Sequence, residues 1–485
     1  MLTRVAVLLL PLLVGGCSED SRQIDPEPSS INQYLNITIS VTSDDLHAAN
    51  RAPAGGENGD GRETCFEREN AVTGITLILA DGPLSSSTAK IAFVRYFPVT
   101  VTTDTYGTDV HGHTDGDIGK KYTTGNQLVS RTELDMTEDK TYNVYVVANR
   151  RIDTSKGTEL STIKDQLLTL NKLFIGDGYT PDDCTNFVMA SEQDVQVNFV
   201  TSTGVTKTEE TNAVKFSVTP IIIERLAARI DFCTAYADNT KKAVYGTYSV
   251  NDGGTPTTVN GFKYEPDGGG YFILESITPF NIYNEQQYLF ERVTTGWTGT
   301  PAYTYLGQET AENYVVDPHT ADKESAILNY LSPLAATMST TWQRTAASLN
   351  DQTSKTTVHS DNDNFVLAYC MENTLKPTSP LKTYATGLVI TGSYYDSADK
   401  FLIRKSFYGY LRHQGEPPGT TYPATELTEA SLTADSYTGD AFTAMNFSIV
   451  RNNIYRVNIN TVGGWITLKV AEHDWRMVSH PQITM

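Results

Sequence analysis

Eight residues near the N-terminus, Leu35–Thr42, alternate apolar and polar side chains without a break. Leu35, Ile37, Ile39 and Val41 face one way on an extended chain, and Asn36, Thr38, Ser40 and Thr42 face the other. That period of two is the signature of a half-buried β-strand. Its setting is the constraint. Residues 18–34 before it are polar and contain prolines, as a tether does. Ala48–Arg62 after it is rich in Gly, Asn and Asp, the composition of an exposed, protease-accessible loop. A well-formed strand set apart in this way is the feature that any account of the chain has to explain.

Upstream, Arg4 supplies a basic residue ahead of an apolar run of ten, Val5–Val14. As a helix that run covers about 15 Å, half of the roughly 30 Å hydrocarbon core of a bilayer. It therefore reads as a signal peptide and not as a membrane span. The run ends Leu13-Val14-Gly15-Gly16-Cys17, which resembles a bacterial lipobox. The resemblance implies that residues 1–16 are removed and that Cys17 becomes a lipidated, palmitate-bearing N-terminus. Ser18-Glu19-Asp20 then resembles the acidic surface-export signal of Bacteroidales lipoproteins. The competing interpretation is an ordinary signal peptide with a chance cysteine.

The 485-residue chain has room for two large β-rich domains or about three ordinary ones. Hydrophobic residues make up 39%, enough for full cores. A net charge of −20 argues against nucleic acid and against an anionic membrane surface, since both demand basic patches. Membrane contact is expected only through the precursor's lipid. Tyr, Thr, Val and Ile are abundant and favour strands. Cys65, Cys184, Cys233 and Cys370 are widely spaced and match no zinc pattern. They allow three disulfide pairings or buried free thiols, and the sequence leaves these open.

Strands are expected at Val72–Leu79, Ile91–Val101, Tyr142–Ala148, Phe187–Met189, Val195–Val200 and Val214–Val218. Leu160, Ile163, Leu167 and Leu168 fall at helical spacing and predict a helix crossing Thr158–Phe174. Pro220 punctuates the chain, which sets a domain boundary there: 52–219 and 220–485. In the second domain, 251–270 and 295–320 read as long loops and 321–331 as a helix. Strands follow at 365–370, 386–395, 401–411, Ser448–Asn460 and Trp465–Val470. The fold class is mainly β, two β-sandwiches with a few short helices.

Few residues suggest chemistry. His111-Gly112-His113-Thr114-Asp115-Gly116-Asp117 is the most metal-like cluster, yet its glycines make it a loop first. Asp361-Asn362-Asp363-Asn364 lacks the spacing of a calcium loop and reads as a turn. There is no GxSxG elbow, no HExxH and no phosphate loop. No catalytic residue, metal or cofactor is assigned, and an enzyme is the least favoured class. Arg225 and Arg229, four apart on a strand, read as charges on its face.

Several segments together resemble the Bacteroidales fimbrillins, the type V pilin superfamily. They are Tyr145-Val146-Val147-Ala148-Asn149, Asn186-Phe187-Val188-Met189, Glu224–Ile230, Tyr369–Leu375 and Val450–Ile459, in the family's order and with the lipobox ahead of them. Within that superfamily the chain is similar to the shaft subunits of short, or minor, fimbriae. The resemblance implies transthyretin-like sandwiches, a surface fimbrium supporting adhesion and biofilm formation, and self-polymerisation with other fimbrial subunits. It also implies removal of residues 17–51 by a trypsin-like, Arg-specific protease, taking the lipid and the first strand away. A neighbouring subunit's strand then fills the vacated groove.

That scheme accounts for the isolated strand, because an incomplete sandwich leaves an unpaired edge that must be covered during export. The plug side chains Leu35, Ile37, Ile39 and Val41 would each contribute at most about 1.5–3 kcal/mol on full burial. The expected cut lies between Arg51 and Ala52, with Arg62 and Arg68 as rivals. The donor strand is expected at about 465–485, carried by Ile466, Leu468, Val470, Trp475 and Val478. The competing reading of the same segment is the last strand pair of the second domain. Two other roles fit the chain: a tip or anchor subunit of the same family, and a monomeric surface glycan-binding lipoprotein.

Overall fold

The computed structural model describes residues 32–36, 38–40, 66–103, 120–123, 128–130, 140–164, 166–191, 195–199, 214–215, 221–236, 241–265, 269–290, 327–332, 338–353, 355–359, 362–375, 381–412, 421–434, 447–462, 465–474 and 482–484. The chain is mainly β, with a few helices of four to six residues.

In the first half, Gly74–Ala80 lies between Ile91–Pro98 and Lys140–Ala148 and is buried along its whole length. A strand covered on both faces carries a continuous apolar run, and Gly-Ile-Thr-Leu-Ile-Leu-Ala is one. The ladder continues through Met189–Ser191 to Ile221–Arg225, with Val195–Phe199 also pairing along Lys140–Ala148. At Leu226 the chain bends. Ala227–Cys233 then belongs to a different, six-stranded sheet, between Asn362–Met371 and Asn453–Val462. The chain thus passes from one sheet to the other at Leu226.

The six-stranded sheet packs against a seven-stranded one that includes Tyr271–Phe280, Gly387–Tyr395 and Phe401–Tyr410. Phe262 of the latter meets Phe232 and Phe365 of the former edge-on, with centroids at 5.5 and 5.4 Å. Gly409 leaves a hole that Leu468 fills: a Cβ on Gly409 would lie 2.3 Å from Leu468 Cδ1.

Four expectations change. The helix over 158–174 reduces to Ser161–Lys164 and a 3-10 turn, because Leu167-Leu168 turns out to pair with Gln287-Tyr288 of the second half. Leu160, Ile163 and Leu168 are buried and Leu167 is half-buried, so the spacing reported burial and not helix. The 251–270 loop is largely a hairpin, Val244–Asp252 with Thr255–Tyr264, closed by Gly253 and Gly254 at φ 59° and 93°. Asn362–Met371 is a strand that takes in most of the expected Asp-Asn turn. In the proposed 321–331 helix, Ile327-Leu328 is a short strand on Ile282-Tyr283, and 321–326 lie outside the described residues. Cys184, Cys233 and Cys370 are buried free thiols, and burial pushes Cys184 and Cys370 up to about 12; Cys65 lies outside the described residues.

Leu468 therefore has a structural task of its own. Leu468→Ala should lower unfolding stability by about 2–5 kcal/mol, and Gly409→Val should also destabilise by overpacking. Urea unfolding of the isolated chain, followed by fluorescence, measures both.

Candidate functional site

The N-terminal strand lies inside the sheets of the first unit rather than at an edge. Asn32–Asn36 runs between Leu128–Ser130, antiparallel, and Val214-Lys215, parallel. Thr38–Ser40 continues into the larger sheet, where Ile39 and Ser40 lie parallel to Ile221 and Ile222. Its other edge pairs antiparallel with Gln482–Thr484, near the C-terminus, which pairs in turn with Lys120–Thr123. The strand is longer at its N-terminal end than the alternation indicated, and it is split between two sheets on either side of Ile37. Removing it would separate Ile221–Arg225 from Gln482–Thr484 and leave both edges open.

The other expected site residues divide. Leu35 and Ile39 are on the plug strand by register. Cys17, Ile37, Val41, Arg51, Ala52, Trp475 and Val478 lie outside the described residues, as does the His111 cluster. Ile466 and Leu468 are buried in the second sandwich, and Val470 packs half-buried against its core. Trp465–Asp474 pairs with Asn453–Val462 along all ten residues and with Thr421–Pro423 on its other edge. Trp465–Asp474 is thus a fully paired strand of the second unit's sheet, whereas Gln482–Thr484 pairs in the first unit.

Arg68 is no rival for processing in this geometry. It belongs to the short helix Glu67–Asn70, its guanidinium lies 4.5 Å over the Phe66 ring, and Thr185 Oγ1 donates to its carbonyl. A protease needs an extended, accessible chain on both sides of the scissile bond.

That helix opens onto a cluster of buried charge that sequence patterning missed. Glu69 has no exposure. Its carboxylate accepts from the Phe66 backbone N–H at 2.9 Å, from Arg229 Nη1 at 3.1 Å and from the Tyr369 hydroxyl. Arg229 also grips Asp231 with two bonds, Nε to Oδ1 at 2.9 Å and Nη2 to Oδ2 at 2.8 Å, and Asn364 Nδ2 donates to Asp231 at 2.7 Å. Arg225 reaches back from the first unit, with Nε donating to the Glu69 carbonyl and Nη1 to Asn452 Oδ1. Arg451 binds Glu372 through Nε and Nη2 at 2.9 and 2.7 Å and caps the carbonyls of Tyr288 and Leu289. Arg225 and Arg229 are thus buried ties around the Leu226 bend and not solvent-facing charges. One signal was available: Phe66 and Glu69 have the three-residue offset of a helix-capping carboxylate.

Such a seam is structural chemistry. Every acid is matched by a guanidinium or a hydroxyl, and among the described residues no group of His, Cys, Asp and Glu is placed to hold a metal. Burial opposes ionisation of Glu69, but Arg229 and the Tyr369 hydroxyl outweigh it and hold its carboxyl below the ordinary range. Burial prevails at Asp231, which is held above its ordinary value despite Arg229.

No family model and no curated protein matches the chain. Among solved structures it is similar to the tip fimbrial protein Mfa3 from Porphyromonas gingivalis with C-terminal truncation, at 9% identity and TM-score 0.37, covering 92% of this chain and 100% of that one. A fimbrilin (fimA) from Porphyromonas gingivalis W83 aligns at 12% identity and TM-score 0.36, covering 93% and 96%. A fimbrial assembly protein from Parabacteroides distasonis aligns at 10% and 0.31, covering 90% and 99%. These likenesses run along the whole chain at low scores, and no residue role is taken from them.

Because Glu69 ionises more readily folded than unfolded, its contribution is present above about pH 4.5 and is lost as pH falls through its lower folded value. Acid titration of stability should therefore fall more steeply for the parent chain than for Glu69→Gln. Arg229→Ala, which strands two buried carboxylates, should cost about 3–5 kcal/mol at neutral pH by denaturant unfolding.

Proposed function

We propose that this chain is a structural subunit of a cell-surface fimbria, exported as a lipoprotein on Cys17, cut after Arg51 and polymerised by strand exchange. One observation carries the proposal. The N-terminal strand sits between Val214-Lys215 and Ile221-Ile222 on one side and Leu128–Ser130 and Gln482–Thr484 on the other, yet its sequence link to the body runs through the Gly/Asn-rich stretch containing Arg51. A single cut there detaches an interior strand without touching either sandwich.

The empty slot would then present two facing rows of backbone N–H and C=O groups, an arrangement that recruits an extended segment. Main-chain pairing supplies affinity, and the side-chain alternation supplies register. Residues 32–40 extend over about 30 Å at the usual rise of a strand. The segment after Asp474, residues 475–485 with Trp475, Val478 and Ile483, is long enough to fill it. Ile466, Leu468 and Val470 remain at home and connect the donor to its domain.

The glycan-binding alternative gains no support from the tyrosines. Tyr271 and Tyr395 stack on each other at 5.1 Å and are buried, which removes their faces from a sugar's reach. The protease is Arg-specific in this scheme, and the partners are copies of the chain and other fimbrial subunits.

N-terminal sequencing of fimbriae sheared from cells should give subunits beginning at Ala52. Arg51→Ala should yield folded, surface-exposed monomers without heat-resistant ladders, and Cys17→Ala should abolish surface fimbriae. Subunits that keep residues 32–40 in assembled fimbriae would overturn the strand-exchange scheme. Uncut wild-type chain at the cell surface would assign it the anchor role instead.

A further inference from the structure

The C-terminal end of the chain lies against the plug strand, and this adds something to the scheme. Thr38, Ile39 and Ser40 face Thr484, Ile483 and Gln482 in antiparallel register. On its far side, among the described residues, the C-terminal strand pairs with Tyr122 and Thr123, in parallel. The plug therefore touches both partners of the exchange: the slot edge at Ile221-Ile222 and the chain's own terminal strand. We infer that the plug holds the donor end as well as filling the acceptor slot, so that one cut releases both. This rests on the strand-exchange reading above and says how that exchange is kept silent before processing.

Strand direction supports the coupling. The plug runs parallel to Ile221–Arg225, and the C-terminal strand runs antiparallel to the plug. The chain's own end therefore lies antiparallel to the slot edge and cannot replace the plug like for like. The facing edges would stand about 9.6 Å apart after plug release, two interstrand spacings with room for one strand. The same segment from a second copy carries no such restriction and can enter in the plug's direction. With the plug gone, the described part of the terminal strand keeps its parallel pairs with Tyr122 and Thr123 on one edge, a weaker hold than the two-sided one it had. Loss of the plug thus frees the terminal strand to leave its own chain, while the slot waits for another copy.

The test uses the full chain before and after cutting with an Arg-specific protease, read by hydrogen exchange of peptides covering 38–40, 221–225 and 482–484. In the uncut chain all three should be protected, and cutting should lower protection of 482–484 by about tenfold or more at equal protein concentration below assembly. A second arm places cysteines at the facing pair, Ile39→Cys with Ile483→Cys, with Cys17 and Cys65 replaced by Ser. Oxidation should form an intramolecular link, and the cut protein should then give no ladders until reductant is added. Free exchange at 482–484 in the uncut chain, with 38–40 protected, would overturn the donor-holding inference and leave the slot reading standing. Unchanged protection of 482–484 after the plug has left would overturn it as well. If 38–40 also exchanges freely in the uncut chain, the slot reading fails with it.

Discussion

Arg229 has no contact with water, and a guanidinium cannot shed its proton to escape that setting. Everything near it has to answer the charge. Asp231 does so from its own strand, Glu69 from the first helix of the body, and Tyr369 and Asn364 hold those acids from the neighbouring strand. The ties bring together segments some 300 residues apart in sequence. A cluster of this kind gains little net free energy over an apolar packing of the same shape, but it leaves few alternatives for how the parts meet. It fixes the Leu226 bend, and with it the relation between the first unit's sheet and the second. The residues before Phe66 can be cut away without disturbing one of these bonds.

The same arrangement places an unusual demand on folding. The N-terminal strand is made first, yet its parallel partners lie near 214–222 and its antiparallel partner near 484. Pairings of such long sequence separation are slow because loop closure precedes any reward. The strand can find all of these partners only after nearly the whole chain has been made. Until then the lone strand and the open edge are both exposed to association. A surface carrying net charge −20 discourages neighbours from meeting in that interval.

What was legible in the sequence follows from what a period of two can report. The alternation from Leu35 on pointed to the strands Asn32–Asn36 and Thr38–Ser40, and Gly74–Ala80, buried on both faces, announced itself by a continuous apolar run. The hairpin Val244–Tyr264 did not, because its far end is exposed on both faces and its Thr and Asn residues carry no contrast. The spacing of Leu160, Ile163, Leu167 and Leu168 pointed to a helix, but a partner in the second half turned that pattern into a strand and two turns. The charged seam was half visible. Arg225, Arg229, Glu372 and Arg451 stood within motifs that marked the family resemblance, yet pairing with Glu69 is a tertiary fact that no local spacing encodes. Asparagines in those motifs turned out to be backbone punctuation: Asn149, Asn186 and Asn452 all sit at positive φ, where Asn is tolerated.

The parallel pairing of the plug with Ile221-Ile222 has a consequence for any assembly built on that slot. The slot belongs to the first unit, and the terminal segment departs from the last strand of the second, so donor and acceptor are different surfaces. A contact of that type is heterologous: it cannot be satisfied by two molecules facing each other, and it propagates until something stops it. With strand direction set at each joint, every subunit points the same way along the fibre. The two ends are then chemically distinct, one offering an empty slot and the other a free tail. Length control therefore needs only a cap that matches one of them.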